Sequence, residues 1–181
     1  IIGHNSLNKV VREYGIIRPG AILDQLNAEV VKALMQRNEE TINDGMDMAL
    51  IAFDRKKFLL EFAGAYNPIH VVRKGEIFTY KADRFPIGMS SQHATKTFVN
   101  QHIDIQPGDM VYMSSDGYAD QFGSAGEKKY KSGNVKKLLT GIWHLPVNDQ
   151  RDRLRKEILD WKGDLQQVDD IMFIGTRIPE R

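Results

Sequence analysis

The chain has 181 residues, with 25 Lys plus Arg against 24 Asp plus Glu and a net charge of +1. That balance excludes an electrostatic nucleic-acid binder, which needs a basic excess, and 41% hydrophobic with 27% charged residues excludes a disordered chain. The absence of cysteine excludes disulfides, thiolate metal sites and thiol nucleophiles, and fits a cytoplasmic setting.

No apolar run approaches the roughly 18 residues of a membrane span. The length predicts a single domain over residues 1–181, able to bury about 70% of its unfolded surface. Ile1-Ile2 is neither an initiator nor a signal peptide, so the chain reads as part of a longer protein.

Leu7, Val10, Val11 and Tyr14 recur at helical spacing over residues 4–14, and Gly15 stops the pattern. Pro19 opens a second helix with an apolar stripe of Ile22, Leu23, Leu26, Val30, Ala33 and Leu34. Asp24 is placed near the positive end of its dipole. Residues 46–54, 57–63, 69–72 and 76–80 then read as short strands, close enough in sequence to suggest an antiparallel meander. Residues 95–105 and 109–115 read as two more, joined by a Pro107-Gly108 turn. Helices over 134–143 and 149–161 follow, the second with Leu154, Ile158, Leu159 and Trp161 on its apolar side, and a strand over 171–178 closes the chain. This order predicts an α+β fold. The basic stretch Gly126–Lys131 reads as a solvated loop, and Trp143 and Trp161 as core or interface anchors.

The chain has no GxSxG elbow, P-loop or GxGxxG motif, and His4, His70, His93, His102 and His144 lack metal-ligand spacing. The carboxylates carry more. The apolar strand after Asp109 ends in Asp116-Gly117, where a strand-end acid projects past the sheet and glycine permits a tight turn. Asp169-Asp170 begins a second apolar strand, and Asp44-Gly45-Met46-Asp47 leads into a third. Three strands with acids at one end, if they converge, would make an oxygen-only site of the kind Mg²⁺ and Mn²⁺ prefer, though spacing alone does not establish one. Two such ions can activate water and clamp a phosphate. Each of these acids is also an ordinary turn former or helix cap.

Seven segments together resemble one family: GHNSLNKVV (3–11), NDGMDMALIAFD (43–54), FAGAYNPIHVVRKGEI (62–77), KADRFPIG (81–88), PGDMVYMSSDGYADQFG (107–123), IWHLPVNDQRDRLRKEILDWKGD (142–164) and QVDDIMFIG (167–175). They look like the C-terminal part of a bacterial SpoIIE-like serine/threonine phosphatase of the metal-dependent PPM class. The resemblance implies a four-layer α-β-β-α sandwich, incomplete at the N-terminus. It implies hydrolysis of phosphoserine or phosphothreonine in a regulatory protein of the anti-sigma antagonist type, with two Mn²⁺ or Mg²⁺ ions. Carried over by position, Asp116 and Asp169 are the catalytic metal-holding acids. Gly117 belongs to the same turn, and Asp170 is the alternative to Asp169. Asp44, with Asp47 as its neighbour, lies where some members of the class hold a third ion. Gly64 and Asn67 line the substrate in the family's turn near the active site, and the family's variable flap falls near Gly126–Lys131.

The family's first acidic turn, which supplies an aspartate bridging both ions, precedes the first helix of this chain. The fragment alone is therefore expected to hold metal poorly and to expose sheet edges open to pairing, a homodimer included. The resemblance also implies an upstream sensor domain in the same chain, membrane-anchored or not. The competing reading is a non-catalytic relay, docking a partner through the N-terminal helices and the charged helix Arg151–Lys162.

Overall fold

The structure is a computed structural model that describes residues 2–35, 45–88, 96–124 and 128–180. Asp44, Thr95, Gly126 and Glu127 lie outside these residues. The fold is α+β with two antiparallel sheets, and the chain divides into two compact units, residues 1–68 with 81–105, and residues 69–80 with 106–181.

In the first unit, helix α1 (Ile2–Asn8) runs into a π-helical turn over Lys9–Glu13, where Tyr14 N–H donates to Lys9 O at 3.1 Å. The expected helix is present, but its last turn is wider than the apolar spacing foretold. Gly15, at φ +66°, ends it. Helix α2 (Pro19–Met35) buries Leu23, Leu26 and Val30 against Ala63, Ala65 and Phe98. Each large aliphatic side chain so buried contributes about 1.5–3 kcal/mol. Asp24 does not serve the helix dipole: its carboxylate accepts Phe98 N–H at 2.8 Å. Strands β1 (Met48–Asp54) and β2 (Leu59–Ala65) form a hairpin, and β5 (Gln101–Asp104) pairs with the other edge of β2. At the hairpin turn Asp54 accepts the amides of Lys56 and Lys57.

In the second unit, β3 (Ile69–Arg73) and β4 (Glu76–Tyr80) are joined by Lys74-Gly75, both at positive φ, as tight hairpins require. Strands β6 (Met110–Ser114) and β7 (Phe173–Arg177) complete a sheet of order β4-β3-β6-β7. The single-turn helix α3 (Gly117–Asp120) follows β6, and α4 (Ser132–Ile142) and α5 (Val147–Lys162) follow in turn. Leu139, Ile142, Leu154 and Ile158 from these helices share a core with Met110 and Tyr112.

Three expectations change. There is no four-strand meander, because β2 and β3 belong to different sheets. At the break Tyr66 has φ 57°, Asn67 N–H bonds back to Ala65 O, and Pro68 has no N–H for a ladder. The Pro107-Gly108 turn between β5 and β6 forms as expected, with Asp109 N–H on Gln106 O. Leu159 is 47% exposed rather than part of the α5 core face. In the basic loop, Lys128, Lys129 and Lys131 are exposed as expected, whereas Tyr130 is buried and donates its hydroxyl to Glu157. Trp161 is an anchor: it packs on the core and its indole N–H bonds Gln121 O.

Candidate metal and phosphate site

Three of the candidate acids, Asp116, Asp169 and Asp170, lie in the second unit. Strand β6 is buried along Met110–Tyr112, and its register with β7 brings the residue after its end, Ser115, opposite the segment that leads into β7. Ser115 grips that segment at two points. Its hydroxyl donates to Asp170 O at 2.8 Å and accepts Met172 N–H at 2.9 Å, while its own N–H donates to Met172 O at 3.0 Å. The serine was legible only as part of an Ser-Asp-Gly string; its two-way hydroxyl needed the fold to be seen.

Asp116 comes next, exposed at the start of α3, with its carbonyl accepting Asp120 N–H at 3.0 Å. Its side chain does not cap the helix, and among the described residues its carboxylate has no hydrogen-bond or ion-pair partner. Gly117 was expected to supply turn freedom. It is instead the first helical residue and not at positive φ, and what requires glycine is proximity. A Cβ there would stand 2.6 Å from Asp170 O and 3.4 Å from Asp169 C. The Asp116 turn and the Asp169-Asp170 backbone thus touch. Tyr118 secures α3 from below, its buried hydroxyl donating to Leu154 O at 2.9 Å and held well above the usual phenol range by burial.

Asp169 and Asp170 are both exposed and precede β7 by four and three residues rather than starting it. Asp169 Oδ1 accepts the Asp170 N–H at 2.6 Å, and Asp169 O accepts Gln167 Nε2 at 2.7 Å. The Asp170 carboxylate has no protein partner among the described residues. The structure therefore gathers Asp116, Gly117, Asp169 and Asp170 at one end of the β6–β7 pair.

The remaining candidates lie in the first unit. Gly64 and Asn67 meet in the turn ending β2, where a Cβ on Gly64 would stand 2.7 Å from Asn67 O. Asp44 is outside the described residues; Gly45 packs on the Pro86 ring, and Asp47 is exposed.

Among the described residues no three His, Cys, Asp or Glu side chains form a group that could hold a metal ion. The donor set at the β6–β7 end still fits hard divalent ions in kind. It is carboxylate oxygen throughout, and Mg²⁺ commonly takes one or two carboxylates with water and phosphate completing its shell. Among the described residues no helix is long and apolar enough to cross a membrane.

Solved structures share this fold. The SiaA-PP2C domain of Pseudomonas aeruginosa superposes with a TM-score of 0.87 at 24% identity, covering 98% of this chain and 68% of that one. The PP2C phosphatase domain with a fragment of the regulatory domain of the cell fate determinant SpoIIE from Bacillus subtilis gives 0.72 at 17% identity, covering 97% of this chain and 48% of that one. The RsbU and RsbW domains of Rv1364c from Mycobacterium tuberculosis give 0.71 at 12% identity, over 97% of this chain and 45% of theirs. No curated protein matches the sequence. The family model of Stage II sporulation protein E (SpoIIE) matches residues 5–179, and the chain belongs to that family.

Proposed function

We propose that the protein containing this chain hydrolyses phosphoserine or phosphothreonine in a bacterial regulatory protein of the anti-sigma antagonist type. It acts in the cytoplasm under the control of an upstream sensor domain. The observation that supports this reading most is the seating of Gly117 against the Asp169-Asp170 backbone, which brings the main chain next to Asp116 into contact with that of the two other acids. Asp116 and Asp169 would hold Mn²⁺ or Mg²⁺, with Asp170 as the alternative to Asp169. When bound, such ions supply the Lewis acidity that activates water and offsets charge on a phosphoryl group.

The chain's own residues do the positioning. Ser115 holds the Asp170 segment against β6, and the Asp116 carboxylate, without a hydrogen-bond or ion-pair partner among the described residues, is available to a cation. The turn of Gly64 and Asn67, in the first unit, is the substrate-lining candidate that the family resemblance implies. A water attacks phosphorus, the ester P–O bond breaks, and inorganic phosphate and a free seryl or threonyl hydroxyl leave. This chain has no cysteine, so none of its own residues is a thiol nucleophile.

The test is phosphate release from a phosphoserine protein by the full-length enzyme in Mn²⁺. Asp116→Asn and Asp169→Asn should each lower the rate by about 100-fold or more, as loss of one charge-stabilising group does. An Asp116→Asn rate within a few-fold of wild type would remove the metal role. Partner binding without any Mn²⁺-dependent turnover would return the protein to a docking relay.

A further inference from the structure

Residues 163–172 connect α5 to β7 without regular secondary structure, and they carry Asp169 and Asp170. Such a segment holds a carboxylate in place only if something grips its backbone. Ser115 does so on the β7 side, at Asp170 and Met172. On the other side the grip is Gln121.

Gln121 follows α3 directly and is fully buried. Its Nε2 donates to Gln166 O at 3.0 Å and to Phe122 O at 3.1 Å, and its Oε1 accepts Val168 N–H at 3.4 Å. Its own carbonyl is fixed by Tyr130 N–H at 2.9 Å and Trp161 Nε1 at 3.1 Å. A buried amide is costly unless each of its polar atoms is paired, and an aliphatic side chain would fill the space without that demand. Here the pairing is directed at two backbone groups just before Asp169. The clamp comes from the same stretch of chain that carries Asp116: Ser115 stands just before that aspartate, and Gln121 just after its helical turn.

We propose that Gln121 is a positioning residue that, with Ser115, fixes the main chain of Asp169 relative to Asp116 and so sets the spacing of the two carboxylates. This rests on the phosphatase reading above.

The test uses the full-length protein with Gln121→Met, which keeps the volume and removes the side-chain bonds. Gln121→Glu, which keeps an acceptor for Val168 N–H and loses the donors, decides the matter if the first variant does not fold. The Mn²⁺ concentration giving half-maximal phosphate release should rise about 10- to 100-fold, the usual effect of losing a group that orients a metal ligand. KM for the phosphoprotein should stay within twofold. Independently of activity, amide exchange across residues 166–170 should quicken while that of β6 stays slow. Wild-type protein without Mn²⁺-dependent release overturns the phosphatase reading and this inference with it. Wild-type release, with variants matching it in Mn²⁺ requirement and in exchange at 166–170, overturns the Gln121 role alone. Loss of folded protein with an unchanged Mn²⁺ requirement per folded molecule makes Gln121 a packing residue and also overturns it.

Discussion

Replacing Gly117 by alanine separates close approach from every other reason for a glycine at that position. The residue is helical, so propensity alone favours alanine by about 1 kcal/mol. Against this, the added Cβ would stand 2.6 Å from a backbone carbonyl oxygen, that of Asp170, where ordinary contact begins at 3.4 Å. The obstacle is main chain and cannot rotate away, so the two segments must part by about 0.8 Å. Overpacking of this kind costs about 1–3 kcal/mol. The Ser115 bonds to Asp170 and Met172, at 2.8 and 2.9 Å, are strained by the same movement and are worth about 1 kcal/mol each.

The expected outcome is therefore a net stability loss of about 2 kcal/mol in urea unfolding. Phosphate release should fall on the order of 100-fold, because a displacement near 1 Å at a reacting site has that effect. Gly141, in α4 with nothing within 4 Å of its Cβ position, is the control: Gly141→Ala should stabilise by about 0.5–1 kcal/mol. A Gly117→Ala protein as stable as wild type, or more so, would refute the contact on which the site geometry depends.

Arg73 holds Asp109, which is 2% exposed, through Nε at 3.0 Å and a second nitrogen at 2.7 Å. Arg73→Met leaves that carboxylate with the Gln106 amide (2.8 Å) as its remaining hydrogen bond, so stability should drop by about 3 kcal/mol in urea unfolding; a loss under about 1 kcal/mol would mean the pair is dispensable. Buried His70 hydrogen-bonds Thr79 through Nδ1 and is pushed down to about 4, first by burial and then by the Lys136 charge. The unfolded chain therefore takes up a proton before the folded one. His70's contribution is fully present above about pH 6.5 and is lost as the pH falls toward 4, by on the order of 2–3 kcal/mol. His70→Asn should flatten that part of the pH–stability profile, and an unchanged slope would place the titration elsewhere.

The amphipathic spacing of Leu23, Leu26 and Val30 specified α2 before any fold was known, because one apolar stripe has one way to be buried. Most of the strand runs and the Gln106–Asp109 turn were likewise legible. Each depends on side-chain type, glycine or proline at neighbouring positions. Sheet membership was not. A run such as β3 has the same composition whether it continues a meander or starts a second sheet, and the choice falls to backbone pairing across distant parts of the chain. The same limit applies at the site. Local sequence shows a glycine, a serine and a glutamine around Asp116. Only the tertiary fold shows Gly117 pressed on the Asp170 carbonyl, Ser115 bonded to the residues beyond it and Gln121 to those before it. These contacts span 45 or more residues, and periodicity carries no information about partners so far apart.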